Sequence, residues 1–340
     1  MNRYLIASTR EGSGKTSLIL GIAGAHKKNY GYLKPFGDRL IYQRKKNWDY
    51  DSNLVIRLWG LDVEPDRITL GFNHSKLRFV YDEESLKQVI NEMIKSASQG
   101  VDSLFIEGGK DICYGASISL DSLTLARYAG AKIIIVTSGD SDMIMDDIRF
   151  ITRYYNSPEI KLHGVIINKV RDVDDFRESF LSNITGMGVN VMGIVPYEEK
   201  LTYYSMHYLA DSIFAKVIGG EKGLGNLVKN IFVGAMSVEE SLRNPVFSRE
   251  DKLIITSGDR NDMVLASLKE GTAGIVLTNN IIPHSNIIAK ASELNIPLLL
   301  VTHDTYQVAK QVDRLEALIT PDDTGKLAIL ERLAAENIKI

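Results

Sequence analysis

Over the first two-thirds of the chain, short apolar runs alternate with stretches whose apolar residues recur at helical spacing. "RYLIAS" (3–8), "VDSLFIEGG" (101–109), "AKIIIVTSGD" (131–140), "LHGVIINKV" (162–170) and "NVMGIVP" (190–196) read as buried strands. "YGYLKP" is a shorter strand that Pro35 ends. A helix opens near Gly14 with Leu18, Ile22 and Ala25 on one face. Asp51 to Leu61, with Leu54, Ile56, Leu58 and Trp59 apolar, is a second helix, and "SLKQVINEMIKSA" is an amphipathic third. Runs apolar on both faces of a strand belong to a parallel sheet covered by helices on each side.

The pattern breaks after Pro196. A polar and aromatic stretch with glycines at 220, 223 and 225 follows, and the domain boundary is expected near residue 200. Those glycines have the wrong spacing for a dinucleotide fingerprint, and no strand leads into them. Strand–helix alternation then resumes with "DKLIITSGD" (251–259), "GIVLTNN" (274–280) and "IPLLLVTHD" (296–304), a second and smaller α/β unit. "IIIVTSGDSDM" (133–143) and "LIITSGDRNDM" (253–263) echo one another, each with Ser or Asp placed to cap the next helix.

The bulk composition narrows the class of function. A net charge of −3 over 340 residues argues against a nucleic-acid partner. The basic run Arg44-Lys45-Lys46 reads as a solvated loop. The single cysteine, Cys113, allows neither an internal disulfide nor a cysteine metal site; it is a packing residue or faces the site after Glu107. His284 and His303 lack partners at ligand spacing, so zinc is not expected. No leader pattern opens the chain and no apolar run approaches the ~20 residues a bilayer span needs. A cytoplasmic protein without a membrane partner is expected.

The candidate chemistry lies in "STREGSGKTS" (8–17), between the first strand and helix. Gly14, Lys15 and Thr16 close a phosphate-loop pattern to which Gly12 adds, while Thr9 stands where the first glycine belongs. The loop residues Thr9, Glu11, Gly12, Ser13, Gly14, Lys15, Thr16 and Ser17 would hold a nucleotide, with backbone N–H groups and a helix start facing its phosphates. Lys15 would reach the terminal phosphates and the Thr16 hydroxyl would ligate Mg²⁺. Glu107, at the end of a strand, and Asp51 complete a candidate Mg²⁺ set with Thr16. Asp51 could instead be a helix N-cap, and Asp49 could substitute for it. "NKV" (168–170) lacks the aspartate of a guanine-reading motif, which leaves Asn168 to hydrogen-bond an adenine.

"ASTREGSGKT", "GYLKP", "DYDSNLVI", "IEGG" and "GIVPYEEKL" occur in the order found in the dethiobiotin synthetase-like P-loop family, and the chain resembles that family over about residues 1–205. The variant it most resembles is the N-terminal region of some bacterial phosphotransacetylases. That family also carries threonine at the first loop position. "GAMSVEESL", "ITSGDRNDM" and "GIVLTNNIIP" resemble the DRTGG domain that follows the P-loop region in those proteins. The resemblance implies a deviant-Walker P-loop domain at 1–205, a DRTGG-like domain at 206–322 and a C-terminal helix at 323–340. It implies ATP and Mg²⁺ at Lys15, Thr16, Asp51 and Glu107. It also implies a Lys34 that meets an acidic substrate, although "KPFGDRL" departs from the synthetase there, and Lys34 could equally be a strand-end lysine in water.

In the wider deviant-Walker class the position of Arg10 holds a lysine that crosses a dimer interface. Arg10 is therefore either a catalytic cation supplied in trans or a partner of Glu11. Asp259 and Arg260 retain part of the DRTGG motif and are either a helix cap and an ion pair or ligand contacts. The phosphotransacetylase catalytic domain is not among these residues, so acetyl transfer is not expected of them. Two functions follow. One is a dimeric, nucleotide-responsive regulator acting on a protein partner. The other is an ATP-dependent ligase or cyclising enzyme that phosphorylates a small carboxylate or carbamate. A structural module with a vestigial loop is a third.

Overall fold

The computed structural model describes residues 1–43, 45–154 and 162–340. Contacts divide them into two units, Met1–Glu198 with Ile319–Ile340, and Glu199–Leu318. Arg44 of the basic run lies outside the described residues.

The first unit begins with β1 (Asn2–Ser8), α1 (Lys15–His26), β2 (Tyr30–Leu33), and a ribbon of β3 (Leu40–Gln43) and β4 (Lys46–Asp49). Then follow α2 (Tyr50–Trp59), α3 (His74–Val80), α4 (Glu83–Ala97), β5 (Ser103–Glu107), α5 (Ser122–Ala129) and β6 (Lys132–Thr137). It continues through α6 (Ser141–Tyr154), β7 (Leu162–Val170), α7 (Val173–Gly186) and β8 (Val191–Pro196). Six strands form one parallel sheet in the order β2-β5-β1-β6-β7-β8. The runs expected to be strands are its interior: Leu5, Leu104, Ile134 and Ile166 have no exposed surface. Strand order reverses around β1, which has β5 on one side and β6 on the other. A crevice at the carboxyl edge of such a reversal is where open α/β sheets bind ligands.

The second unit contains β9 (Tyr204–Ser205), α8 (Met206–Ser212), β10 (Lys216–Gly219), β11 (Leu227–Val228), β12 (Asn230–Val233) and α9 (Val238–Arg243). It ends with β13 (Lys252–Ser257), α10 (Asn261–Ser267), β14 (Thr272–Thr278), α11 (Ser285–Glu293), β15 (Leu298–Leu300) and α12 (Thr305–Asp313). Its sheet runs β10-β15-β14-β13-β12, parallel except for β10. Alternation along the strands fills both faces. Leu253 and Ile255 pack with Met206, Leu209 and Val308, while Ile254 packs with Phe247, Met263 and Ile287.

The last helix, α13 (Thr324–Asn337), belongs to the first unit. It lies against α1 so closely that a Cβ at Gly21 would stand 2.6 Å from the Leu330 carbonyl oxygen. Beyond it, the Lys339 N–H donates to the Met192 carbonyl at 2.9 Å, which ties the chain end to β8. The 323–340 segment is thus part of the P-loop unit's packing, a long-range contact that no local pattern announces. No helix among the described residues is long and apolar enough to cross a membrane.

The two echoing strand–turn segments differ in the structure. Asp140 caps α6, its carboxylate accepting from the Met143 N–H at 2.8 Å. Asp259 is exposed, and α10 has no side-chain cap. The capping expectation is corrected for the second segment: Arg260 takes the position before α10, and its guanidinium donates to the Gly234 and Met236 carbonyls at 2.9 Å each.

Candidate functional site

Five strand ends deliver the site: Ser8 of β1, the residue after β2 (Lys34), Glu107 of β5, Thr137 of β6 and Asn168 of β7. The loop between Ser8 and Lys15 turns through left-handed backbone at Gly12 (φ 75°) and Gly14 (φ 94°). Gly14 is doubly required, since a Cβ there would also stand 2.5 Å from Asn168 Nδ2. That amide donates to the Ser13 carbonyl at 2.8 Å, and its oxygen accepts from the Lys169 N–H at 3.0 Å. Lys169 Nζ donates to the Gly12 carbonyl at 2.7 Å. The Asn168 amide nitrogen therefore helps hold the loop, while its oxygen is bonded within its own strand. Ser13 donates to the Arg10 carbonyl at 2.9 Å, and Ser17 is half-buried in the first turn of α1.

Lys15 is buried with its ammonium on Ser8 Oγ (2.8 Å) and the Lys110 carbonyl (3.3 Å). Burial lowers its pKa despite the nearby Glu107 carboxylate. Thr16 Oγ1 donates to Glu107 Oε1 at 2.8 Å, and Tyr32 donates its hydroxyl proton to Glu107 Oε2 at 2.9 Å. Burial, and after it the Asp51 carboxylate, push Glu107 up to about 7 against the pull of Lys34.

Lys34 is only 1% exposed and stands among four carboxylates: Asp51, Asp38 (2.7 Å), Asp49 (3.6 Å) and Glu107 (3.7 Å). Burial opposes its charge, but the carboxylates together hold its pKa well above the lysine range. A strand-end lysine in water is corrected by that burial. The cap on α2 is Asp49, whose carboxylate accepts from the Ser52 N–H at 3.0 Å. Asp51, one residue into the helix, is left to face Lys34, with Arg39 3.6 Å away. Burial raises Asp51, but Lys34 and Arg39 outweigh it, so its pKa is lowered.

Arg10 pairs within its own chain, its guanidinium reaching both carboxylate oxygens of Asp147 on α6 at 2.9 and 3.1 Å. Glu11 pairs with Lys110 at 3.0 Å instead. The Arg10–Glu11 pair is thus corrected, because neighbouring side chains at a tight turn diverge. Thr9 joins the same edge through Thr137 Oγ1 at 3.4 Å. Cys113 is exposed, which removes the packing reading.

Thr16 and Glu107 are hydrogen-bonded to each other, whereas Asp51 reaches Glu107 only by way of Lys34; the carboxylates that converge are those of Asp38, Asp49 and Asp51, with oxygens within 4.8 Å of one another. Four carboxylates there face three cations, Lys34, Lys15 and Arg39. The oxygen donors of the set are of the kind Mg²⁺ takes, and a bound cation would favour the ionised form of Glu107, whose pKa burial otherwise raises to about 7. Tyr32, Lys110 and Asp147 are members that sequence reading missed. Tyr32 reads as a strand core residue, and Asp147 lies 137 positions from the arginine it holds.

A family model described as an AAA domain matches residues 2–205, and one described as a DRTGG domain matches residues 208–315. The chain is 25% identical over 359 residues to a phosphate acetyltransferase of Nitrosomonas europaea, covering 100% of the chain and 51% of that protein. It is 26% identical over 208 residues to a cobyrinate a,c-diamide synthase of Caldanaerobacter subterraneus, covering 60% of the chain and 41% of that protein. The chain therefore spans about half the length of the curated acetyltransferase it matches. Among solved structures, the MinD cell division protein of Aquifex aeolicus aligns with a TM-score of 0.38 and 20% identity over 59% of this chain and 84% of that one. The order of a P-loop domain and a DRTGG domain is the one implied by the sequence resemblance. The likeness to dethiobiotin synthetase is supported only loosely, through the cobyrinate synthases that resemble this domain.

Proposed function

The chain belongs to the AAA-domain family whose model spans its residues 2–205, and from that premise we propose that it is a Mg-ATP-binding regulatory module. The observation that carries this reading is the buried constellation of Lys15, Thr16, Glu107 and Lys34 at one sheet edge. Burying so many ionisable groups costs stability unless the surroundings reward it, and such clusters concentrate at functional sites. The loop N–H groups and Lys15 would take the phosphates. Thr16, Asp51 and Glu107 would hold Mg²⁺, which when bound neutralises phosphate charge. Thr16 could ligate the ion only with its proton turned away from Glu107, which would leave Tyr32 as that carboxylate's hydrogen-bond donor beside the Lys34 ammonium.

The regulator is favoured over a ligase by Lys34. A lysine that is to meet an acidic substrate needs charge to spare, and here Asp38, supplied by the divergent "KPFGDRL" segment, binds it at 2.7 Å alongside three more carboxylates. In the regulatory reading the second unit dimerises, and ATP shifts its state for a protein partner by binding one conformation better than another. Arg10 would enter the partner subunit's site only after leaving Asp147.

Hydrogen exchange with and without saturating Mg-ATP tests this. Altered protection in residues 199–318 is the expected result; identical exchange there rules out the regulator. ADP release stimulated by a small carboxylic acid would favour the ligase instead.

A further inference from the structure

A cavity of about 370 Å³ opens at the other end of α1 from the phosphate loop, between the last turns of α1 and α2, the start of β2, and α13. Its size falls in the range of small-ligand pockets. Leu20 and Leu327 give it an apolar lining, and Tyr30 and Trp59 place two aromatic rings in it, 6.3 Å apart and inclined at 40°. Lys28 and Glu331 bring one positive and one negative charge. Neither has an ion pair or side-chain hydrogen bond among the described residues, and the same holds for the Trp59 N–H and the Tyr30 hydroxyl. The Glu331 side chain lies across α1 at Gly24, its Cγ 3.3 Å from where a Cβ would stand.

We infer that this cavity binds a free aromatic amino acid. The ring would stack on the half-buried Trp59, where offset aromatic contacts add to the burial of apolar surface. The edge of Tyr30, itself stacked on Phe105, would close the floor. The ligand's carboxylate would meet Lys28 and its ammonium Glu331, each through a charge-assisted hydrogen bond. A purely apolar ligand would leave both charges idle, and a simple carboxylate would leave Glu331 repelling it. Two unlike charges beside an aromatic pair match a zwitterion. The cavity shares α1 with the phosphate loop, so any coupling to nucleotide would be reciprocal, but the binding itself does not rest on the nucleotide reading.

Calorimetric titration of L-phenylalanine into the full chain tests the assignment. Saturable binding is expected, weakened about tenfold by Glu331→Gln and by replacing L-phenylalanine with 3-phenylpropionate, which lacks the ammonium. Trp59→Leu is expected to abolish it, while Lys15→Ala, which disables the proposed nucleotide site, leaves it unchanged. Circular dichroism of each variant separates loss of binding from loss of fold. Absence of saturable heat at about 10 mM ligand with a folded protein would overturn the proposal. Equal affinity for 3-phenylpropionate would overturn it too.

Discussion

The carboxyl edges of the two sheets are built from similar strands and turns, yet they hold opposite kinds of residue. At the first, Lys15, Lys34, Asp49, Asp51 and Glu107 are buried together. At the second, the buried polar groups are the hydroxyls of Thr256 and Thr278, and Arg260 is engaged with backbone carbonyls. Hydroxyls and carbonyl-bound arginine close a turn at little cost. Five ionisable side chains withdrawn from water do not, and that burden at the first edge is what the proposed ligand site accounts for. Fold alone does not make a site; what the strand ends carry does.

The largest effect is expected from Lys34→Met. It leaves four carboxylates around an apolar side chain, and breaking such a buried arrangement costs about 3–5 kcal/mol. Both tryptophans, Trp48 and Trp59, lie in the first unit, so their fluorescence in a urea titration follows that unit alone. An unchanged midpoint would show that the cluster is not the strained edge described above.

Tyr32→Phe is expected to act on binding more than on folding. Without its hydroxyl, Glu107 loses one of two hydrogen bonds, about 1 kcal/mol, and Mg-ATP affinity should fall about fivefold. Affinity for ATP without metal should hold, because Tyr32 touches Glu107 and not the loop. Equal losses with and without Mg²⁺ would reduce Tyr32 to a packing residue.

Arg260→Ala sharpens the contrast from the other side. It releases the Gly234 and Met236 carbonyls, at a cost of about 1 kcal/mol, and exchange of amides in 234–243 should quicken locally. Mg-ATP affinity should not change. A large change would move chemistry to the second edge.

Much of this was legible in the chain. The apolar runs named the strands because strands buried on both faces leave few polar positions, and Gly14-Lys15-Thr16 named the loop because phosphate binding demands that spacing. Asp51 and Glu107 were legible as carboxylates near it. What stayed hidden depended on distance along the chain. Nothing near Tyr32 marks it as the donor to Glu107, 75 positions away. Nothing local shows that Asp38 and Asp49 would close around Lys34, or that Arg10 would turn to Asp147. Nor does Asp259 differ locally from Asp140; their surroundings decide which one caps a helix.

Calorimetric titration of Mg-ATP into the full chain, beside Lys15→Ala, tests the central claim most directly. The expected result is saturable binding to the unaltered chain, reduced at least about a hundredfold in the variant, roughly 2.7 kcal/mol. No binding to either, or equal binding to both, would contradict a nucleotide site at the first sheet edge.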